Sequence, residues 1–128
     1  GGLVRNPDGS VRTASDWLVG IRFSDDYLRR VRPFEVVTFI GPESVWHPNI
    51  AGRKHAICIG NVTAGTALLD LVYQVWEIVS WNRFRLDDCL DPAAAAWARD
   101  PANRSRFPVD TRPRKRRAPP AQASEVSA

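Results

Sequence analysis

The chain contains no methionine, only two cysteines, and only two lysines against sixteen arginines. An intact gene product normally opens with Met. A start at Gly1-Gly2 that runs straight into strand-like sequence therefore fits a fragment, with a further N-terminal element expected ahead of Leu3. Two cysteines, Cys58 and Cys89, exclude a disulfide scaffold and point to a reducing compartment. They lack Cys-x-x-Cys spacing and have only His47 and His55 near them in sequence, so no structural zinc site is expected. No apolar run approaches the ~20 residues a membrane span needs, and no charged-then-apolar leader opens the chain. These absences predict a soluble, cytoplasmic protein with no membrane partner. The scarcity of lysine beside arginine is what a G+C-rich genome produces, which predicts a bacterial source.

What is present fits one modest domain: 128 residues, 44% hydrophobic, with five tryptophans. The formal charge of +4 is unevenly placed. Residues 111–117 hold five of the 18 bases and no acid, leaving 13 bases against 14 acids elsewhere. The globular part is nearly neutral. The Arg/Pro-rich segment after Phe107 has too little apolar bulk to offset its ordering entropy, so 109–128 is expected to be a disordered tail and 1–108 the folded domain. Clustered arginines can neutralise phosphates. Here they have no aromatic interleaving and no recognisable nucleic-acid fold before them, so nucleic acid is not the expected partner.

Leu3 to Arg5 leads into Asn6-Pro7-Asp8-Gly9-Ser10, whose Pro and Gly suit a tight reversal. Trp17, Val19, Ile21 and Phe23 then alternate with Leu18, Gly20 and Arg22 at the two-residue period of a half-buried strand, which predicts a hairpin. Val36 to Ile40, with Val37 and Phe39 on one face, predicts the next strand, ended by Gly41-Pro42. From Thr66 the period becomes helical. Leu68, Leu69, Val72, Val75, Trp76 and Val79 predict a helix over Ala67 to Ser80, capped by Thr66, with a wide face in the core. Pro92 to Ala98 predicts a second, Ala-rich helix capped by Asp91.

Between these elements, residues 41–65 contain no long periodic segment yet carry both histidines and Cys58. Such stretches are uncommon in a compact domain and are usually functional. His47-Pro48-Asn49-Ile50 is followed nine residues after the Asn by Cys58, which places an amide side chain and a thiol in one short loop. A thiol can carry an acyl group as a thioester, and an amide can stabilise the tetrahedral oxyanion through which the group enters and leaves. The plainer readings are a buried, inert Cys58 between two isoleucines, His55 as an exposed loop residue, Cys89 as a small loop filler, and Asp87 and Asp88 as solvated turn acids.

This order of residues resembles the ubiquitin-conjugating enzymes, the middle carriers of ubiquitin-like protein transfer. Phe23-Ser24-Asp25-Asp26-Tyr27 is similar to the family's Phe-Pro-x-x-Tyr, and Pro33-Phe34 with Val37-Thr38-Phe39 to the Pro-Phe and Val-x-Phe that follow it. His47-Pro48-Asn49 and Ile57-Cys58 come next in the family's order. Leu86-Asp87-Asp88-Cys89-Leu90-Asp91-Pro92-Ala93-Ala94 is similar to its Pro-Asp-Asp-Pro-Leu-Asn-Pro-Glu-Ala. The likeness spans most of residues 3–107. It departs where Leu28 to Arg32 are extra, where Val36-Val37 replaces Pro-Pro, and where Thr63-Ala64-Gly65-Thr66 replaces the Trp-Ser-Pro-Ala loop that helps dock ligases.

The resemblance implies an α+β ubiquitin-conjugating fold, an antiparallel meander sheet packed on a central helix, with the N-terminal helix missing from this stretch. It implies an acyltransferase in which Cys58 accepts a ubiquitin-like C-terminus from an activating enzyme as a thioester and passes it to a target nucleophile. Asn49 would stabilise the oxyanion or order the loop, Asp88 and secondarily Asp87 would serve the acceptor amine, and His47 and Pro48 would hold the motif's shape. No cofactor is implied, since the thioester stores the energy. With the arginine bias, the implied setting is a divergent bacterial conjugation operon of antiviral defence. The alternative is a catalytically inactive fold relative that holds a ubiquitin-like protein or an activating enzyme as a scaffold.

Overall fold

The computed structural model describes residues 1–111, so most of the Arg-rich segment lies outside the described residues. The chain is mixed α+β, built from small antiparallel ladders and a few helices. Strands β1 (Gly2–Arg5) and β2 (Val11–Ala14) form a hairpin with Leu3 opposite Thr13 and Val4 opposite Arg12. Its turn is held by local bonds. The Asn6 N–H donates to the Ser10 carbonyl at 2.8 Å, and Asp8 Oδ1 accepts from the Ser10 N–H and hydroxyl at 2.9 and 2.6 Å. Those bonds hold the Asp8 carboxyl below its usual range. Gly9 takes the left-handed φ of 89° that the reversal requires.

The hairpin forms where the turn residues predict it, but its second strand is Val11–Ala14 and not the Trp17 to Phe23 segment. That segment supplies β3 (Leu18–Ile21), which pairs instead with β4 (Val37–Gly41), Val19 opposite Phe39 and Ile21 opposite Val37. The ladder stops there because Pro33 opens a single helical turn, α1 (Pro33–Val36), just ahead of β4. Phe23 therefore falls beyond the strand, exposed and edge-on to Tyr27 with ring centroids 4.7 Å apart. Val37 and Phe39 do share one buried face.

The remaining ladder, β5 (Ile50–Ala51) with β6 (Ala56–Ile57), touches β4 through the Phe39 N–H on the His55 carbonyl at 3.1 Å. The expected single meander is thus three separate two-stranded ladders among the described residues. Short strands and the Gly/Pro breaks at Gly41-Pro42 and Gly52 prevent one continuous sheet.

Helix α2 (Leu68–Val79) buries Leu71, Val75, Ile78 and Val79, the i, i+4, i+7, i+8 stripe of an amphipathic helix. The expected stripe was rotated from this one: Leu68, Leu69 and Val72 lie on the solvent side, each about half exposed. With Trp17, Leu18, Val19 and Ile21 of the β3 region, Val72 and Trp76 border an open apolar groove of about 410 Å³. Thr66 does not cap the helix. Ala67 occupies the cap position, and the Thr66 hydroxyl donates to the Thr63 carbonyl at 2.6 Å. Tyr27 ties the far loop to this end by donating its hydroxyl to the Thr66 carbonyl at 2.7 Å.

The buried side chains fall into two clusters. One is covered by α2 and contains Val37, Phe39, Ile50, Ile57 and Ile59. The other gathers Leu3, Trp46 and Trp81 around α3 (Pro92–Arg99), with Phe84, Trp97 and Phe107 packed on it. Asp91 caps α3 as its position predicts, its Oδ1 accepting the Ala94 N–H at 3.2 Å. A 3-10 helix (Pro101–Arg106) follows, and the chain continues in contact past residue 108. Asn82 and Asp110 exchange two hydrogen bonds at 3.0 Å.

Candidate functional site

The two clusters meet at the His47-Pro48-Asn49 turn. Hairpin β1–β2 delivers the chain to it, since the Trp46 N–H donates to the Leu3 carbonyl at 2.8 Å. His47 is 1% exposed, and its Nδ1 accepts the Asn49 N–H at 2.9 Å. Burial pushes its pKa from 6.5 down to about 3, partly offset by the backbone carbonyls of Arg83 and Ile78. The ring is therefore neutral at physiological pH. Its Nδ1 bond places the proton on Nε2, which is buried without a hydrogen-bond partner among the described residues. His47 thus shapes the turn through Nδ1.

Pro48 anchors a second segment, its carbonyl accepting the N–H groups of Leu90 and Asp91 at 2.8 and 3.0 Å. Asn49 anchors a third. Its Oδ1 accepts the Arg85 N–H at 2.7 Å, and its Nδ2 donates to the Arg85 carbonyl at 3.0 Å. An amide nitrogen carries two N–H groups, so one remains beyond this pair. Asn49 is 4% exposed, and this two-point clasp is a loop-ordering role.

The nine-residue spacing from Asn49 to Cys58 has a geometric cause. Ile50 pairs with Ile57 across the β5–β6 hairpin, so the residues just outside that pair come together. The Cys58 N–H donates to the Asn49 carbonyl at 2.9 Å. Both residues line a cleft of about 210 Å³ with Gly60, Asn61, Arg83, Phe84 and Arg85 among its other walls. Cys58 is a partly exposed free thiol. Arg83 is held there by an Nη2 bond to the Ile59 carbonyl at 3.1 Å. A thiol, an amide and a guanidinium held beside them can together accept an acyl group and stabilise negative charge on oxygen or sulfur.

The sequence-derived candidates do not all converge. Asp87 and Asp88 are exposed on the 82–91 loop and do not line the cleft, and Asp88 adopts a left-handed φ of 52°. Cys89 is a partly exposed free thiol on the same loop, also outside the cleft lining. His55 lies across the sheet, its Nδ1 3.1 Å from the Phe39 carbonyl, and it too is absent from the cleft walls. Conversely, Arg83 and Arg85 were not anticipated. Nothing in periodicity marks them; the only cue was their place just ahead of the Leu86 to Asp91 segment.

Among the described residues, no three His, Cys, Asp or Glu side chains gather as a metal site would need, and no helix is long and apolar enough to cross a membrane. No family model, curated protein or solved structure matches the chain.

Proposed function

We propose that the chain is a ubiquitin-like protein carrier of the ubiquitin-conjugating type. The Cys58 thiolate attacks the activated C-terminal carbonyl held as a thioester on an activating enzyme. That enzyme's sulfur leaves, and the acyl group rests on Cys58 until a target nucleophile takes it. The observation that supports this reading is the convergence of Asn49 and Cys58, nine residues apart, across a two-residue ladder onto one open cleft. A motif of chance composition has no reason to be clasped from three sides while its thiol stays accessible.

In this reading the ubiquitin-conjugating fold is expressed in shortened form, with α2 as the central helix and the three ladders standing for the meander. His47 and Pro48 hold the turn, and Asn49 positions the cleft wall with one N–H left for an oxyanion. The partners are an activating enzyme that uses ATP, a ubiquitin-like protein, and a target. The setting is a bacterial conjugation operon.

The test is to incubate the protein with the activating enzyme and ubiquitin-like protein of its neighbouring genes plus ATP, then resolve adducts on gels with and without reductant. A thiol-sensitive adduct lost in Cys58→Ala and kept in Cys89→Ala is the expected result. Absence of any adduct while the upstream enzyme is charged would leave the inactive scaffold as the better account.

A further inference from the structure

Independently of the Cys58 reading, we propose that the pocket between the end of β3 and α1 binds a free sugar monophosphate. Arg22 and Arg30 take its phosphate, and the Asp26 and Glu35 carboxylates accept its hydroxyls. The pocket, of about 360 Å³, shares no lining residue with the cleft beside Cys58. Two of its arginines, Arg30 and Arg32, come from the Leu28 to Arg32 stretch by which the chain departs from the ubiquitin-conjugating pattern. The pocket is thus this chain's own feature.

Its walls are held through the backbone. The Arg22 N–H donates to the Val36 carbonyl at 2.8 Å, closing the end of β3 on α1. The Arg30 N–H donates to the Asp26 carbonyl at 2.9 Å, and Tyr27 anchors the loop between them through its hydroxyl on the Thr66 carbonyl. The guanidiniums of Arg22 and Arg30 have no ion-pair or hydrogen-bond partner among the described residues. Two donor forks of the kind that grip phosphate therefore stand uncommitted in one pocket. The third, Arg32, pairs with Glu35 Oε1 at 3.4 Å, and Asp26 Oδ1 accepts the Ser24 hydroxyl at 2.8 Å. Each carboxylate keeps a second oxygen as an acceptor.

The acids decide which phosphate fits. Three guanidiniums against two carboxylates leave the walls at a net +1, which attracts one phosphate monoester but not a chain of them. A nucleic acid would bring its neighbouring phosphates against Asp26 or Glu35, and among the described residues no aromatic side chain lines the pocket to stack a base. A carboxylate only accepts, so a ligand gains those bonds by presenting hydroxyls beside its phosphate. Val36 is the one apolar wall among the described residues, which leaves no seat for the side chains flanking a phosphorylated residue in a peptide. The volume exceeds what bare phosphate fills and lies within the range of small-molecule sites.

The experiment titrates the full chain, at low salt, with glucose 6-phosphate, ribose 5-phosphate, inorganic phosphate, glucose or Nα-acetyl-phosphoserine amide, followed by amide chemical shifts. A sugar phosphate should move the Arg22, Arg30 and Val36 amides. It should bind about tenfold or more tightly than phosphate or glucose, because charged and neutral hydrogen bonds then act together. Arg22→Gln and Arg30→Gln should each weaken it about tenfold with the melting temperature unchanged, since neither guanidinium supports the fold. Asp26→Ala should tighten inorganic phosphate and narrow its gap to the sugar phosphate, an effect that general charge attraction to the Arg-rich residues 111–117 would not produce. Shifts confined to residues 111–117, equal affinity for phosphate and both sugar phosphates, or affinity unchanged in Arg30→Gln would overturn the proposal. So would tightest binding of the phosphoserine derivative, which would make the pocket a reader of phosphorylated protein.

Discussion

Acidification probes the His47-Pro48-Asn49 turn directly. His47 is 1% exposed, and burial depresses its pKa from 6.5 to about 3, so the folded protein keeps the ring neutral with Nδ1 accepting the Asn49 N–H. The unfolded chain binds a proton at its ordinary value. Stability from this group is therefore complete above pH 6.5 and is lost progressively as pH falls toward 3. Each pH unit in that window costs about 1.4 kcal/mol, so a drop from about pH 7 to about pH 4.5 should remove roughly 2–3 kcal/mol. That is a large fraction of the ~5–15 kcal/mol typical of a domain. Urea melts of the native protein and His47→Gln at both pH values isolate the effect, because the carboxylates titrate in both. The native protein should lose roughly 2–3 kcal/mol more than the variant. Equal losses, within about 0.5 kcal/mol, would refute the reasoning.

Other perturbations test the supports around the cleft. Asn49→Ala removes both bonds to the Arg85 backbone and leaves that N–H and carbonyl unpaired, so it should cost about 2–3 kcal/mol in denaturant melts. It should also speed amide exchange at Arg85; unchanged protection there would show the clasp to be unimportant. Asp91→Ala strips the cap from α3 and should cost about 1 kcal/mol, read by thermal melting, with Asp91→Asn recovering most of the loss. A Cβ at Gly52 would overlap the Glu43 backbone. Gly52→Ala should therefore destabilise by about 1–3 kcal/mol, and a melting curve unmoved by it would contradict the close approach seen beside β5. Cys58→Ala should leave stability within about 1 kcal/mol, since the side chain is only partly buried, while abolishing any thioester.

What was legible in the sequence was what local chemistry determines. The Asn6 to Ser10 turn, the Asp91 cap and the buried pair Val37 and Phe39 each depend on residues within a few positions, and each is found. Partner choice was not legible: Trp17 to Phe23 has a strand's period, but only the position of β4 determines that Leu18–Ile21 pairs there and that Phe23 is left outside. The same limit explains α2. Periodicity located the helix, yet Leu68, Leu69 and Val72 face out because the cluster around Phe39 and Ile59 selects the Leu71, Val75, Ile78 stripe. At the cleft, the sequence put Asn49 and Cys58 in one loop but did not show the ladder that joins them: β5 and β6 are two residues each, too short to show a period within residues 41–65. Arg83 and Arg85 were not legible either, because they enter from a loop more than twenty residues away whose placement follows from the Asn49 clasp and the Trp81 packing. The residues that set the cleft's charge are thus supplied by tertiary structure.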